Sequence, residues 1–105
     1  MVKVFQYDNV TGKVELNTPE ILLIKEFAAL MDKERNKCKE DPEGKYKLRA
    51  FREFTYIYLA IDWNSLYRDY YEQDRHQEAL RDSGLTEEEF NNPEFRAACR
   101  KYKAI

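Results

Sequence analysis

The period of the apolar positions changes along this chain, and each change predicts a different element. Over the first seven residues, Val2, Val4 and Gln6 alternate with Lys3, Phe5 and Tyr7, a period of two that predicts a short strand. Asp8-Asn9-Val10-Thr11-Gly12 reads as a turn and residues 13–16 as the returning strand, so a β-hairpin is expected over residues 1–16. A lone two-stranded hairpin is marginal in water, so it has to pack on helices or on another subunit. From residue 18 the period becomes helical. Thr18 is placed as a cap, Pro19 fits the first helical position, and Glu20 sits near the positive end of the dipole. Ile21, Leu23, Ile24, Phe27, Leu30 and Met31 then share roughly half of the helical wheel. The polar continuation to residue 40 is compatible with helix, so this helix is expected to project past the core. It should end before the turn signal Asp41-Pro42-Glu43-Gly44.

The widest apolar arc lies in residues 45–61. Leu48, Phe51, Thr55, Tyr58 and Leu59 form one stripe, and Ala50, Phe54, Ile57 and Ile61 form an adjoining one. Together they span about 200° of the wheel, more than one neighbour requires, and leave Arg49, Arg52 and Glu53 for the polar side. This is the expected central helix, packed against residues 21–31 and 95–102. Asp62 interrupts the arc, and a carboxylate there is costly unless hydrogen-bonded. It is expected to end the helix and accept backbone N–H groups of the next turn. A mostly polar third helix, about residues 70–81, stops at Asp82-Ser83-Gly84, with Gly84 suited to a left-handed C-terminal position. Thr86 and Glu89 match a capping box, Asn92-Pro93 restarts helix, and Phe95, Ala98, Cys99 and Tyr102 form the last inward stripe. The expected fold is mainly α: a small helical bundle of three to five helices with an N-terminal β-hairpin. It forms a single domain over residues 1–105, hairpin in 1–16 and helical in 18–105.

Charge adds a direction to this picture. The formal net charge is only −2, but residues 62–94 carry three arginines against ten acids, whereas residues 96–103 carry four bases and no acid. Residues 32–53 hold eight bases among six acids, which reads as a solvated helix–turn–helix corner. A dipolar pattern suits docking between complementary protein patches, and lacks the concentrated basic footprint of a nucleic-acid binder. No apolar run approaches the roughly 20 residues that span a membrane, and residues 1–7 have no signal-peptide core, so a cytoplasmic chain is expected. Cys38 and Cys99 lack metal or redox spacing and read as a surface thiol and a packed small hydrophobe.

Candidate chemistry is sparse. His76 is the only histidine, and it reads more economically as an exposed i,i+4 pair with Glu72 than as a ligand or general base. Glu87, Glu88 and Glu89 suit the positive end of a helix. Gly12, Gly44 and Gly84 are scattered singly and build no phosphate-cradling loop. The expectation is a protein that is not an enzyme and holds no cofactor and no metal. What remains is aromatic surface: nine of the fifteen aromatic residues fall between Tyr46 and Tyr71. Tyrosine and tryptophan bring large contact area with few rotors and concentrate at interface hot spots. Phe5, Tyr7, Tyr56, Trp63, Tyr67, Tyr70 and Tyr71 are therefore the expected contact residues, and Thr18, Asp62, Thr86 and Asn92 the expected structural caps.

The run Phe54-Thr-Tyr-Ile-Tyr-Leu-Ala-Ile-Asp-Trp-Asn-Ser-Leu-Tyr67, followed by Arg75-His76 and Ala79-Leu80-Arg81-Asp82-Ser83-Gly84-Leu85, resembles small virion-associated structural proteins of tailed bacteriophages. The resemblance covers roughly residues 46–102. Such chains often carry Ser-Pro-Tyr where this one has Ser65-Leu66-Tyr67, so the turn is open to difference. The resemblance implies a non-enzymatic structural component repeated many times in a capsid, neck or tail, found in the virion or the host cytoplasm. Its partners would be other protein subunits in a multi-copy or homo-oligomeric assembly, with neither nucleic acid nor membrane. It supplies no active-site residues to transfer. The competing expectation is a small phage-encoded regulatory module that binds and modulates a host protein.

Overall fold

The structure, a computed structural model, describes residues 23–62 and 65–104 in full, and before them only the backbone of residues 5–8 and 13–16. The described part is mainly helical. It runs through α1 (Lys25–Leu30), α2 (Leu48–Ile61), α3 (Glu72–Ser83), α4 (Glu87–Phe90) and α5 (Pro93–Ala104). The expected hairpin over residues 1–16 and the cap at Thr18 lie outside the fully described residues, but the expected helical run through Leu23 and Ile24 is corrected: α1 begins only at Lys25, Ile24 before it is extended (φ −107°, ψ 112°), and Leu23 is 79% exposed.

The broad apolar arc of α2 places that helix in the middle. Ala50, Phe54 and Ile57 are 0% exposed, and they meet Phe27 and Leu30 of α1, Ala79 and Leu80 of α3, Leu85, and Phe95, Ala98 and Cys99 of α5. Phe27 stands edge-on to Phe54 with ring centroids 5.9 Å apart. Each large side chain so enclosed contributes on the order of 1.5–3 kcal/mol through its removal from water. α3 and α5 both pack on α2, and α1 packs on α5. The polar third helix thus still delivers Ala79 and Leu80 to the core, one apolar pair being enough to seat it.

Three further expectations are corrected. First, α1 ends at Leu30, and residues 31–47 form an irregular loop instead of a projecting helix. Side chains offer its backbone better partners than a helical ladder does. Asn36, fully buried, donates through Nδ2 to the carbonyls of Leu30 and Asp32 at 2.9 and 2.7 Å and accepts the Ala50 N–H at 2.8 Å. The Asp41 carboxylate accepts the N–H groups of Lys45 and Tyr46, both at 3.0 Å. Gly44 has φ 66°, and a Cβ there would lie 2.2 Å from the Lys33 carbonyl oxygen. Lys47, also left-handed at φ 54°, delays the start of α2 to Leu48.

Second, Glu53 is not on a solvated face. Its side chain is 0% exposed and Arg35 is 8% exposed, in a two-pronged ion pair in which Nη2 meets Oε2 at 2.6 Å and Nη1 meets Oε1. Arg49 adds a longer contact at 3.9 Å, and the Asn92 amide oxygen accepts from Arg35 at 3.3 Å. The basic corner is therefore partly internal. Third, Phe51 of the expected inward stripe is 40% exposed.

Candidate functional site

The described residues leave a groove of about 870 Å³ beside the C-terminal half of α2, and four elements line it. The end of α2 gives the floor, with Tyr56, Ala60 and Ile61. One wall is the start of α3 with Tyr70 from the segment before it: Tyr70, Glu72, Gln73, Arg75 and His76. Phe90 of α4 closes one end. Arg96, Cys99, Arg100 and Lys103 of α5 form the other wall.

Each wall follows from local sequence. Arg96, Arg100 and Lys103 recur at i, i+4 and i+7, which brings them onto one face of α5. All three are exposed, and none of them is in an ion pair among the described residues. Arg96 lies over the Phe90 ring, its guanidinium carbon 4.7 Å from the centroid. On the facing wall, Glu72 opens the first turn of α3, where the helix dipole favours acids, and Asp74 shares that turn outside the groove lining. They too are exposed and enter no ion pair among the described residues.

The α3 wall is anchored from below. Arg75 donates through Nε to the Leu59 carbonyl at 2.9 Å and through Nη2 to the Asp62 carbonyl at 2.5 Å, satisfying orphan carbonyls at the end of α2. Burial lowers the pKa of this guanidinium from its ordinary value, with the Asp62 carboxylate acting in the opposite direction. Ser65, fully buried, donates to the same Leu59 carbonyl at 2.6 Å and accepts the Tyr67 N–H at 3.1 Å. Asp62 ends α2, its carboxylate accepts the Tyr102 hydroxyl from α5, and Ser65 bonds within the turn that follows. Burial, with that hydrogen bond second, keeps the Tyr102 phenol protonated well beyond its usual range.

His76 sits inside the groove rather than on an exposed helix face with Glu72. Its Nδ1 is 2.6 Å from the Tyr56 hydroxyl, its Nε2 is 3.4 Å from Glu87, and its ring stacks 4.6 Å from that of Phe90. With the proton on Nε2, Nδ1 accepts from Tyr56 and Nε2–H faces Glu87, so both nitrogens are engaged. Cys99 is a free thiol, 7% exposed, and burial pushes its pKa up to about 12. A thiol held protonated in this way is a poor nucleophile. Cys38, also free, is half-buried in the 31–47 loop. Among the described residues, no group of three or more His, Cys, Asp or Glu side chains is placed to hold a metal ion.

The expected contact residues divide. Phe5, Tyr7 and Trp63 lie outside the residues whose side chains are described. Tyr56 is 4% exposed, enclosed by Phe90 and Phe95 at 5.2 and 5.6 Å, and is a core residue rather than a contact. Burial raises its phenol pKa far above the ordinary value. Tyr67 is half-buried, donating to Asp82, and that bond pushes its pKa up to about 12. Tyr70 and Tyr71 are 49% and 86% exposed, next to Leu66 at 59%. Among the caps, Thr86 and Glu89 bond reciprocally at 3.1 Å, and Asn92 accepts the Phe95 N–H at 3.1 Å. Gly84 closes α3 at φ 76°. Arg75, which helps shape the groove wall, carries no role in the sequence reading. Ser65 two residues before Tyr67 has the spacing of a hydroxyl-bonded turn, but nothing in the spacing of Arg75 points to a carbonyl clamp. Comparison with known protein families, characterised proteins and solved structures yields no match to this chain.

Proposed function

We propose that this chain is a non-enzymatic structural protein that works by contact with other subunits in a multi-copy assembly, in line with its resemblance to virion components of tailed bacteriophages. The observation that carries the proposal is the edge Leu66–Tyr70–Tyr71. Three large side chains between 49% and 86% exposed fall within these six residues, on a segment flanked by the Ser65 and Arg75 hydrogen bonds to the end of α2. A fold that hides Tyr56 and half-buries Tyr67 has the means to turn tyrosines inward, so rings left on a stiff edge are contact surface. The N-terminal hairpin belongs to the same reading. It is supported by the antiparallel register of residues 5–8 with 13–16, Phe5 opposite Leu16, and by the approach of both runs to α2. A hairpin edge is a place where a neighbour's strand can add.

The engaged nitrogens of His76 and the protonated Cys99 thiol support a non-catalytic role, because neither offers a free base or nucleophile to the groove. The test is the mass of the purified chain together with quantitative detection of the chain in purified particles. A stoichiometric multi-copy presence in particles, or ordered self-association, is the expected result. A lone, non-associating chain that captures a single host protein would replace this reading with that of a regulatory module.

A further inference from the structure

One wall of the groove and its floor together describe a ligand. Arg96, Arg100 and Lys103 recur at i, i+4 and i+7 along α5, a cationic row rising about 10 Å at 1.5 Å per residue. All three are exposed, and no ion pair among the described residues uses them. Arg75, the remaining arginine of the lining, is already held by the Leu59 and Asp62 carbonyls. Against this row the lining has a single carboxylate, Glu72, on the far wall. Between the walls the floor is apolar and only partly covered, since Ala60, Ile61 and Phe90 are each half-buried. A row of carboxylates set beside apolar side chains would satisfy both surfaces at once.

We propose that the groove is the docking site for an acidic amphipathic helix of a neighbouring subunit. The helix lies along α5, its carboxylates on Arg96, Arg100 and Lys103 and its apolar face on Ala60, Ile61 and Phe90. The inference rests on the multi-copy reading above and supplies the chemistry of the partner. Charge fixes the sign, with three unpaired cations against one acid. The floor fixes the amphipathic character, because a nucleic-acid backbone or a purely acidic tail brings charge but leaves Ala60 and Ile61 uncovered. Spacing fixes the form. A second helix repeats the same rise, so carboxylates at i, i+4 and i+7 come level with the three cations. Same-side residues of an extended segment lie about 6.7 Å apart, and three of them overrun the row. Glu72 sets the orientation by repelling acids from the far wall, so the helix shows them to α5 alone. Tyr70 lines the same groove and belongs to the exposed edge described above, so the docked helix is continuous with that contact surface.

The test is fluorescence anisotropy of a labelled synthetic peptide titrated with the full chain. The peptide has about 15 residues, long enough to form helix, with glutamates at i, i+4, i+7 and i+11 and leucines on the adjoining face. It should bind with a Kd below about 100 μM, and more weakly as salt is added. Arg100→Glu with Lys103→Glu should weaken binding by about tenfold or more. Lys39→Glu with Lys101→Glu makes the same charge change at exposed positions outside the groove, and should alter binding by less than about threefold. A peptide with glutamine for every leucine, and one with a central proline, should each lose about tenfold or more. Circular dichroism melting identifies any variant that has lost its fold, and Arg100→Gln with Lys103→Gln then substitutes with a smaller loss. No binding at about 1 mM peptide, equal losses from the two charge changes, or a control peptide that binds as well as the parent would overturn the proposal. An oligothymidylate of similar length that binds more tightly, with the same dependence on Arg100 and Lys103, would make this a nucleic-acid groove instead. These failures leave the multi-copy reading to its own test in purified particles. A chain that binds the peptide but is absent from particles would overturn that reading alone.

Discussion

Two clusters along α2 treat charge in opposite ways. In one, Arg35 and Glu53 are buried together, with Arg49 and Asn92 closing around them. In the other, at the C-terminal end of the helix, Arg96, Arg100 and Lys103 share an open groove with Glu72 without pairing among the described residues. Both sets are basic side chains and carboxylates, so residue type does not separate them. Solvent access does. A pair removed from water must be complete, because each charge left alone loses its hydration with nothing in return. Exposed charges lose little by standing apart and remain free for a partner. The buried cluster holds this fold together, and the open one is where it can meet something else.

The contrast can be broken most sharply at Glu53. Glu53→Gln leaves the Arg35 guanidinium enclosed beside a neutral amide, and a loss of about 3 kcal/mol or more is expected in urea unfolding. If the cost were under about 0.5 kcal/mol, the pair would be behaving as a surface contact and the distinction between the two clusters would fail. Asn36→Ala, next to Arg35, removes an amide that satisfies three backbone groups, among them the Ala50 N–H. A loss of about 2 kcal/mol is expected from the same measurement.

Elsewhere the expected effects are smaller. Tyr67 keeps its proton to about pH 12 in the folded chain through its bond with Asp82, against 10.0 for an ordinary phenol. Above pH 10 the unfolded chain gives up a proton that the folded chain retains, so stability should fall as pH rises through that window and be fully present below it. Tyr67→Phe should flatten part of that alkaline slope. Smallest of all, Arg100→Gln with Lys103→Gln should change unfolding stability by no more than about 0.5 kcal/mol, since neither cation is in an ion pair among the described residues.

The same contrast explains which parts of the molecule were legible beforehand. The arc of α2, the stripe Phe95–Ala98–Cys99–Tyr102 and the stop at Gly84 are periodic or local signals, and the core and the apolar residues packed on it contain what they indicated, Leu48 and Phe51 excepted. The box at Thr86 is local in the same sense. What could not be read were contacts between distant residues. Glu53 looked solvated because a helical wheel cannot include Arg35, eighteen positions away in a loop. The polar run after Met31 looked helical because the Asn36 amide satisfies Ala50 fourteen residues later, a bond with no periodic trace. Tyr56 looked like surface because the ring that covers it, Phe90, belongs to a four-residue helix. His76 was paired with its helical neighbour Glu72, and its actual partners Tyr56 and Glu87 come from two other elements.

Arg75 carries one more implication. By tying the Leu59 and Asp62 carbonyls to α3, it makes the segment that presents Tyr70 and Tyr71 a rigid bracket between two helices. Whatever docks there meets a surface already in its final shape, so little conformational freedom is surrendered on contact. Recognition would then resemble two hard bodies fitting together, and loosening that bracket with Arg75→Met would slow or weaken docking even though no atom of Arg75 need touch the visitor.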